Sequence, residues 1–211
     1  GVDIGSGGVT GLITYMRTDS LRIADQALAQ ARDYIMKKYG GDFCPAKARV
    51  FKTKKGAQDA HEAIRPSDPS LDPDRVRPYL TPDQYKLYRL IWSRFIASQM
   101  AEAILNTTSV DMENSGYVFH TTGQTIDFQG FLALYEESRD DSGDDEEGGP
   151  LPMLEKGDVP AHIKTEPKQH FTQPPPRYTE ASLIKAMEEK GIGRPSTYAP
   201  TISVVIDREY V

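Results

Sequence analysis

The 211 residues suffice for one large domain or two modest ones, and a hydrophobic share of 38% with a charged share of 27% describes a protein that buries a core and contains no apolar run of membrane-spanning length. A single cysteine, Cys44, excludes an internal disulfide and a cysteine-built zinc site, and with no charged-then-apolar leader the expectation is a cytoplasmic protein. The net charge of −6 excludes a uniformly basic nucleic-acid binder, but residues 136–147 hold eight acids against Arg139, which leaves the rest of the chain one unit positive and residues 1–70, with eleven Lys and Arg against eight acids, three units positive.

Residues 1–10 are glycine-rich. Leu12 and Ile13 then read as the end of a buried strand, and Thr18-Asp19-Ser20 as a loop opening toward a helix. Between them stand Tyr15 and Arg17. A strand end is a rigid place from which to present a phenol, tyrosine can serve as a covalent nucleophile, and a guanidinium nearby favours the phenolate or the charge that builds on the group attacked. By spacing alone the pair is weak, since most Tyr-x-Arg triplets are surface features with no role. An amphipathic helix is expected over Ile23 to Lys38, with Ala24, Ala27, Leu28, Ala31 and Ile35 on one face and Gly40-Gly41 as the stop. Residues 47–58 form a basic stretch, either a solvated face or a set of phosphate contacts. In Ala60–Pro66, Pro66 biases Arg65 toward extended backbone and closes an expected short helical turn, which would put His61 and Arg65 on one face.

Thr81-Pro82-Asp83-Gln84 is a capping box with proline at the first helical position. The helix after it carries Tyr85, Tyr88, Ile91, Trp92, Phe95, Ile96 and Met100 at helical spacing, a core face rather than a base-stacking platform. Beyond residue 104 the pattern alternates. Strands are expected over Thr107–Met112, Tyr117–Thr122 and Gln124–Phe128, with a turn at 113–116, and two more near Leu151–Leu154 and Val159–Thr165. The acidic stretch between them reads as a disordered, solvating loop, and Pro174-Pro175-Pro176 as a stiff connector. Thr179 caps an expected helix over Glu180–Lys190, stopped by Gly191. A second helix is expected from Thr197 to about Arg208, with Pro200 in its first turn. Arg194, Ser196 and Thr197 at its start are candidate phosphate contacts; an ordinary capped helix is the alternative.

The string Gly11-Leu12-Ile13-Thr14-Tyr15-Met16-Arg17-Thr18-Asp19-Ser20 resembles the active-site segment of the type IA DNA topoisomerases, on the bacterial topoisomerase I branch. His61-Glu62-Ala63-Ile64-Arg65-Pro66-Ser67 and Tyr178-Thr179-Glu180-Ala181-Ser182-Leu183, running on to Gly191-Ile192-Gly193-Arg194-Pro195-Ser196-Thr197-Tyr198-Ala199, agree with that family in the same order. The resemblance implies an α+β multidomain piece of the type IA toroid. Residues 1–104 would be a mainly helical, winged-helix-like active-site domain, truncated at its start and with residues 1–10 a native loop. Residues 105–176 would be a β-rich arch or hinge domain carrying the acidic loop 136–149, and 177–211 the start of a helical domain along the DNA groove.

It further implies Tyr15, Arg17 and His61 as catalytic residues and Arg65, Arg194, Ser196 and Thr197 as DNA contacts, with Thr14, Thr18 and Asp19 shaping the loop. The reaction would be ATP-independent breakage, passage and rejoining of single-stranded DNA through a 5′-phosphotyrosine, in a nucleoid-associated enzyme that relaxes negative supercoils. Magnesium would belong to the parent through a metal-binding domain upstream of this segment, with no cofactor held by the segment itself. Its partners would be single-stranded DNA and the other domains of the same enzyme, with no membrane. The segment alone is expected not to relax DNA. The alternative is a non-catalytic module that binds single-stranded DNA or serves as scaffold.

Overall fold

The computed structural model describes residues 1–5, 8–16, 18, 20–51, 62–135 and 150–210. The acidic stretch 136–149, read above as disordered, lies outside them, as do Lys52, Lys54 and Lys55 of the basic stretch. The chain divides into two compact units, Gly1–Ile104 with Ile126–Ser138 and Leu105–Thr125 with Arg139–Val211. Among the described residues, five α-helices and two small antiparallel sheets make it a mixed α and β protein.

In the first unit, β1 (Val2–Asp3) pairs antiparallel with β2 (Val9–Thr10). Helix α1 runs over Asp25–Lys38, with Ala27, Ala31 and Ile35 buried and Lys37 and Lys38 at the negative end of its dipole, as the spacing predicts. A short helix α2 (Pro73–Val76) is capped by the Asp72 carboxylate, which accepts the Arg75 N–H at 2.9 Å. Helix α3 (Pro82–Ser98) starts at the expected capping box: Gln84 N–H donates to the Thr81 hydroxyl and Thr81 N–H to the Gln84 side-chain oxygen.

The apolar stripe of α3 is core. Tyr88, Trp92, Phe95, Ile96 and Met100 pack with Leu12, Ala27, Ala31, Ile35, Leu71 and Val76. The polar tips of the two large aromatics are satisfied by backbone: Tyr88 Oη donates to Leu71 O at 2.5 Å and Trp92 Nε1 to Pro69 O at 3.0 Å. Tyr34 from α1 meets Trp92 edge-on, with ring centroids 5.2 Å apart. Segment 69–71 is therefore clamped to α3, and this carries Pro66 and Ser67, just before it in sequence, to the site described below.

Two backbone features close this unit. Gln99, with no exposed surface, works as a substitute strand: its Oε1 accepts Arg49 N–H at 3.2 Å and its Nε2 donates to Arg49 O at 3.3 Å. Gly130 has φ of +50°, and a Cβ there would lie 2.4 Å from Glu102 O and 2.6 Å from Ala101 O. Only glycine fits that crossing.

Strands β3 (Ile104–Asn114) and β4 (Tyr117–Phe128) form one long hairpin instead of the three strands expected. The turn was legible. Ser115 and Gly116 both have positive φ, 54° and 82°, the two-residue geometry whose twist suits a hairpin. Gly123 did not divide β4 because pairing with β3 continues past it. Thr107–Gln124, Ser109–Thr122 and Asp111–His120 side-chain pairs follow one register along the same face.

The strands expected near Leu151–Leu154 and Val159–Thr165 do not form; Met153, Val159 and Ile163 point into solvent. An alternating run becomes a strand only where another strand takes its N–H and C=O groups. None does so there among the described residues. Among the described residues of 105–176, the strands are those of the hairpin.

Helix α4 (Glu180–Glu189) opens with the reciprocal pair Ser182 N–H to Thr179 Oγ1, 3.1 Å, and Thr179 N–H to Ser182 Oγ, 2.8 Å. It ends in a Schellman turn: Gly191 at φ +69° donates to Glu188 O and Ile192 to Met187 O. Helix α5 spans Pro195–Asp207, beginning two residues before the expected Thr197. Pro200 therefore sits in the second turn, not the first. Met187 and Ile202 are buried where α4 and α5 meet.

Candidate active site

The segment Leu12–Thr14 is built as an antiparallel partner of Ala63–Ser67. Ile13 and Pro66 form a β-bridge, Thr14 N–H donates to Arg65 O at 2.9 Å, and Ser67 N–H to Leu12 O at 2.9 Å. Proline suits this place because its missing N–H is not required by the ladder. The Thr14 hydroxyl adds two more bonds, donating to Ala63 O at 2.8 Å and accepting Arg65 N–H at 3.0 Å. Ala63 N–H in turn donates to Arg22 O at 2.8 Å. Buried Leu12 anchors the strand in the core, and Tyr15 is the first residue past the stitched region. Tyr15 keeps 72% of its surface in solvent. The arrangement is a fixed strand end with a free phenol on it.

Glu62–Arg65 is irregular, with a bend at Ile64, rather than helical, and Arg65 and Pro66 are used in this pairing. The helical turn expected to align His61 with Arg65 is therefore not formed by residues 62–65. Arg17, Asp19 and His61 lie outside the described residues. The Arg65 guanidinium turns back on its own segment: Nη1 donates to Pro66 O at 2.9 Å and Nη2 to Glu62 Oε2 at 2.8 Å. Only 11% of the Arg65 side chain is exposed, and its buried Nε has no partner. A phosphate reaching Arg65 has to displace Pro66 O or Glu62, at the cost of a charge-assisted bond. The structure thus brings Tyr15 and the Arg65 backbone together through Thr14 without aiming the Arg65 charge at solvent.

Arg194, Ser196 and Thr197 stand exposed at the start of α5 in the second unit. The Thr197 hydroxyl accepts the Arg194 N–H at 2.8 Å, tying down the helix entrance. Among the described residues, no three His, Cys, Asp or Glu side chains converge as metal ligands. No helix among them is long and apolar enough to cross a membrane.

The residues that the sequence reading missed here are Glu62 and Gln99. Glu62 had a signal, a carboxylate three positions before Arg65. Gln99 had none.

A sequence model of the DNA topoisomerase family matches residues 9–211. The structure is similar to that of full-length topoisomerase I from Thermotoga maritima, with a TM-score of 0.75 and 36% identity over 97% of this chain and 32% of that one. The chain thus spans about a third of that relative's length. With Tyr15 presented on a strand end and all three motifs inside the matched region, the chain belongs to the DNA topoisomerase family, in its bacterial type IA branch.

Proposed function

We propose that Tyr15 is the nucleophile of a type IA topoisomerase. Its phenolic oxygen attacks a phosphorus of single-stranded DNA. The Tyr15 Oη–P bond forms, the P–O3′ bond breaks, and the phenolic proton is passed on while the 3′ oxygen leaves as a hydroxyl. A 5′-phosphotyrosine results. After a second strand passes, the 3′ hydroxyl attacks back and releases Tyr15. One phosphodiester is exchanged for another, so no nucleotide fuel enters.

Phosphoryl transfer asks mainly for positioning and charge stabilisation. Arg17, two residues from the phenol, is the assigned cation at the attacked phosphate, and His61 the assigned partner of the leaving oxygen. Arg65 contacts a neighbouring phosphate on exchanging its present partners. Arg194, Ser196 and Thr197 hold the strand farther along. The whole protein relaxes negatively supercoiled DNA in the cytoplasm, at the nucleoid, with its other domains, magnesium entering through an upstream domain. The helices α1 and α3 with the β1–β2 ribbon are read as the winged-helix-like part.

The observation that carries this reading is the exposure of Tyr15 on a strand end held by four hydrogen bonds to residues 63–67. The test is incubation with end-labelled single-stranded DNA, with and without the metal-binding domain supplied in trans, followed by a denaturing gel. A covalent adduct lost in Tyr15→Phe is expected. An adduct of equal yield in Tyr15→Phe overturns the assignment.

One observation favours the second reading, a binding or scaffold module, for this segment alone. Arg65 is neutralised by Glu62 and turned away from solvent. Retention of DNA with no adduct under either condition supports that module.

A further inference from the structure

A cleft of about 530 Å³ opens in the first unit beside Leu21–Asp25, within the size range of small-molecule sites. Its walls combine three kinds of surface. Leu28, Val50 and Phe51 give an apolar side, and Phe51 keeps its ring partly in solvent. Arg22 and Arg49 give positive charge. Asp25 gives a carboxylate acceptor.

The two arginines are not equivalent. Arg49 is held by Gln99 through its backbone and pairs with Glu102 at 3.3 Å. The Arg22 guanidinium has no partner among the described residues, although its backbone is fixed: Arg22 N–H donates to Ser20 Oγ at 3.2 Å and Arg22 O accepts Ala63 N–H. Among the described residues it is an unpaired cation on a backbone held at both its N–H and its C=O.

That stem joins the cleft to the nucleophile. Ala63 bonds Arg22 through its N–H and Thr14 through its C=O, each at 2.8 Å, and Tyr15 follows Thr14. The wall of the cleft and the strand end are thus separated by a single shared residue.

A ligand for such walls needs an anionic group for Arg22, a flat apolar body for Phe51 and Leu28, and a donor for Asp25. Single-stranded DNA supplies all three in each nucleotide: a phosphate, a base face, and on most bases an exocyclic amino group. We propose that this cleft seats one nucleotide of the strand that Tyr15 attacks, with Arg22 on its phosphate and Phe51 against its base. The proposal rests on the reading of Tyr15 given above and adds to it a subsite that positions the strand.

The test uses the whole 211-residue chain and a fluorescein-labelled single-stranded DNA of mixed sequence, titrated by anisotropy across a salt series. Arg22→Ala is expected to weaken binding about fivefold and to lower the salt slope by about 0.7, the share of one phosphate. Arg22→Lys should recover most of it. Leu28→Trp, which fills the cleft without changing charge, should weaken binding while leaving the salt slope nearly unchanged. Iododeoxyuridine in the strand should crosslink to Phe51 on illumination, as mapped by peptide mass spectrometry. If the unaltered chain binds DNA with salt dependence but Arg22→Ala and Leu28→Trp bind as it does, the subsite is overturned and the reading of Tyr15 stands. If the unaltered chain shows neither retention nor a Tyr15 adduct, both fall.

Discussion

Thr14 and Arg65 hold each other by a reciprocal pair: the Thr14 N–H donates to Arg65 O at 2.9 Å, and the Arg65 N–H donates to the Thr14 hydroxyl at 3.0 Å. The residue before Tyr15 thus takes its position from a residue 51 places along the chain. Replacing Thr14 by valine preserves the shape and removes the hydroxyl, leaving Arg65 N–H and Ala63 O without that partner. The expected cost is about 1–3 kcal/mol of stability. The yield of the Tyr15–DNA adduct should fall with it, and Thr14→Ser should restore both. Unfolding is read from Trp92, the sole tryptophan, buried in the first unit.

Gly130 admits no side chain. Its φ of +50° and the 2.4 Å approach to Glu102 O set strain and overlap against any Cβ. Gly130→Ala is expected to destabilise the first unit by about 2–4 kcal/mol. The check is a lower urea midpoint for the Trp92 signal with an unchanged slope.

Gln99 is expected to matter more than a glutamine usually does. Its amide makes the only described bonds to the backbone of Arg49, on the wall of the proposed subsite. Gln99→Leu removes both and leaves a half-buried amide and carbonyl of Arg49 without these partners, at about 1 kcal/mol. Faster hydrogen exchange of the Arg49 amide, with α3 amides unchanged, is the measurement.

Alkali should loosen the first unit before the second. Burial, and next the Asp72 carboxylate, raise the Tyr34 phenol from 10.0 to about 12; burial also raises Tyr39 and, further, Tyr88. The fold favours the neutral phenols, so this stability is whole below pH 10 and is lost as pH rises from 10 toward 12 and beyond. Asp72→Asn keeps an N-cap for α2 while removing the charge. It should reduce the loss without abolishing it, since burial is the larger cause. Urea midpoints of the Trp92 signal across this range give the measurement.

At the end of α5, Glu209 stands at φ +53° in a second Schellman turn, with Glu209 N–H on Ile206 O and Tyr210 N–H on Val205 O. The equivalent place after α4 is glycine. Glu209→Gly should therefore stabilise α5 by up to about 1 kcal/mol, seen as slower amide exchange in its last turn.

What the sequence by itself determined lies within a few residues of chain. The capping box of α3, the Thr179 cap of α4, the stripe of α1, the Ser115-Gly116 turn and the glycine stop after α4 are near-neighbour effects, and near neighbours are adjacent in any fold. Tyr15 was legible for another reason: three ordered motifs around it match one family. Tertiary structure decided what depended on distant partners. At residues 62–65 it put an irregular arm in place of the short helical turn expected within Ala60–Pro66, because Leu12–Thr14 bonds to that arm. It folded Arg65 back onto Glu62 and Pro66, joined two expected strands into β4, and left Val159–Thr165 without a mate among the described residues. Backbone groups take whichever partner the packed chain brings within about 3 Å, and that choice is made by the crossing of segments far apart in sequence.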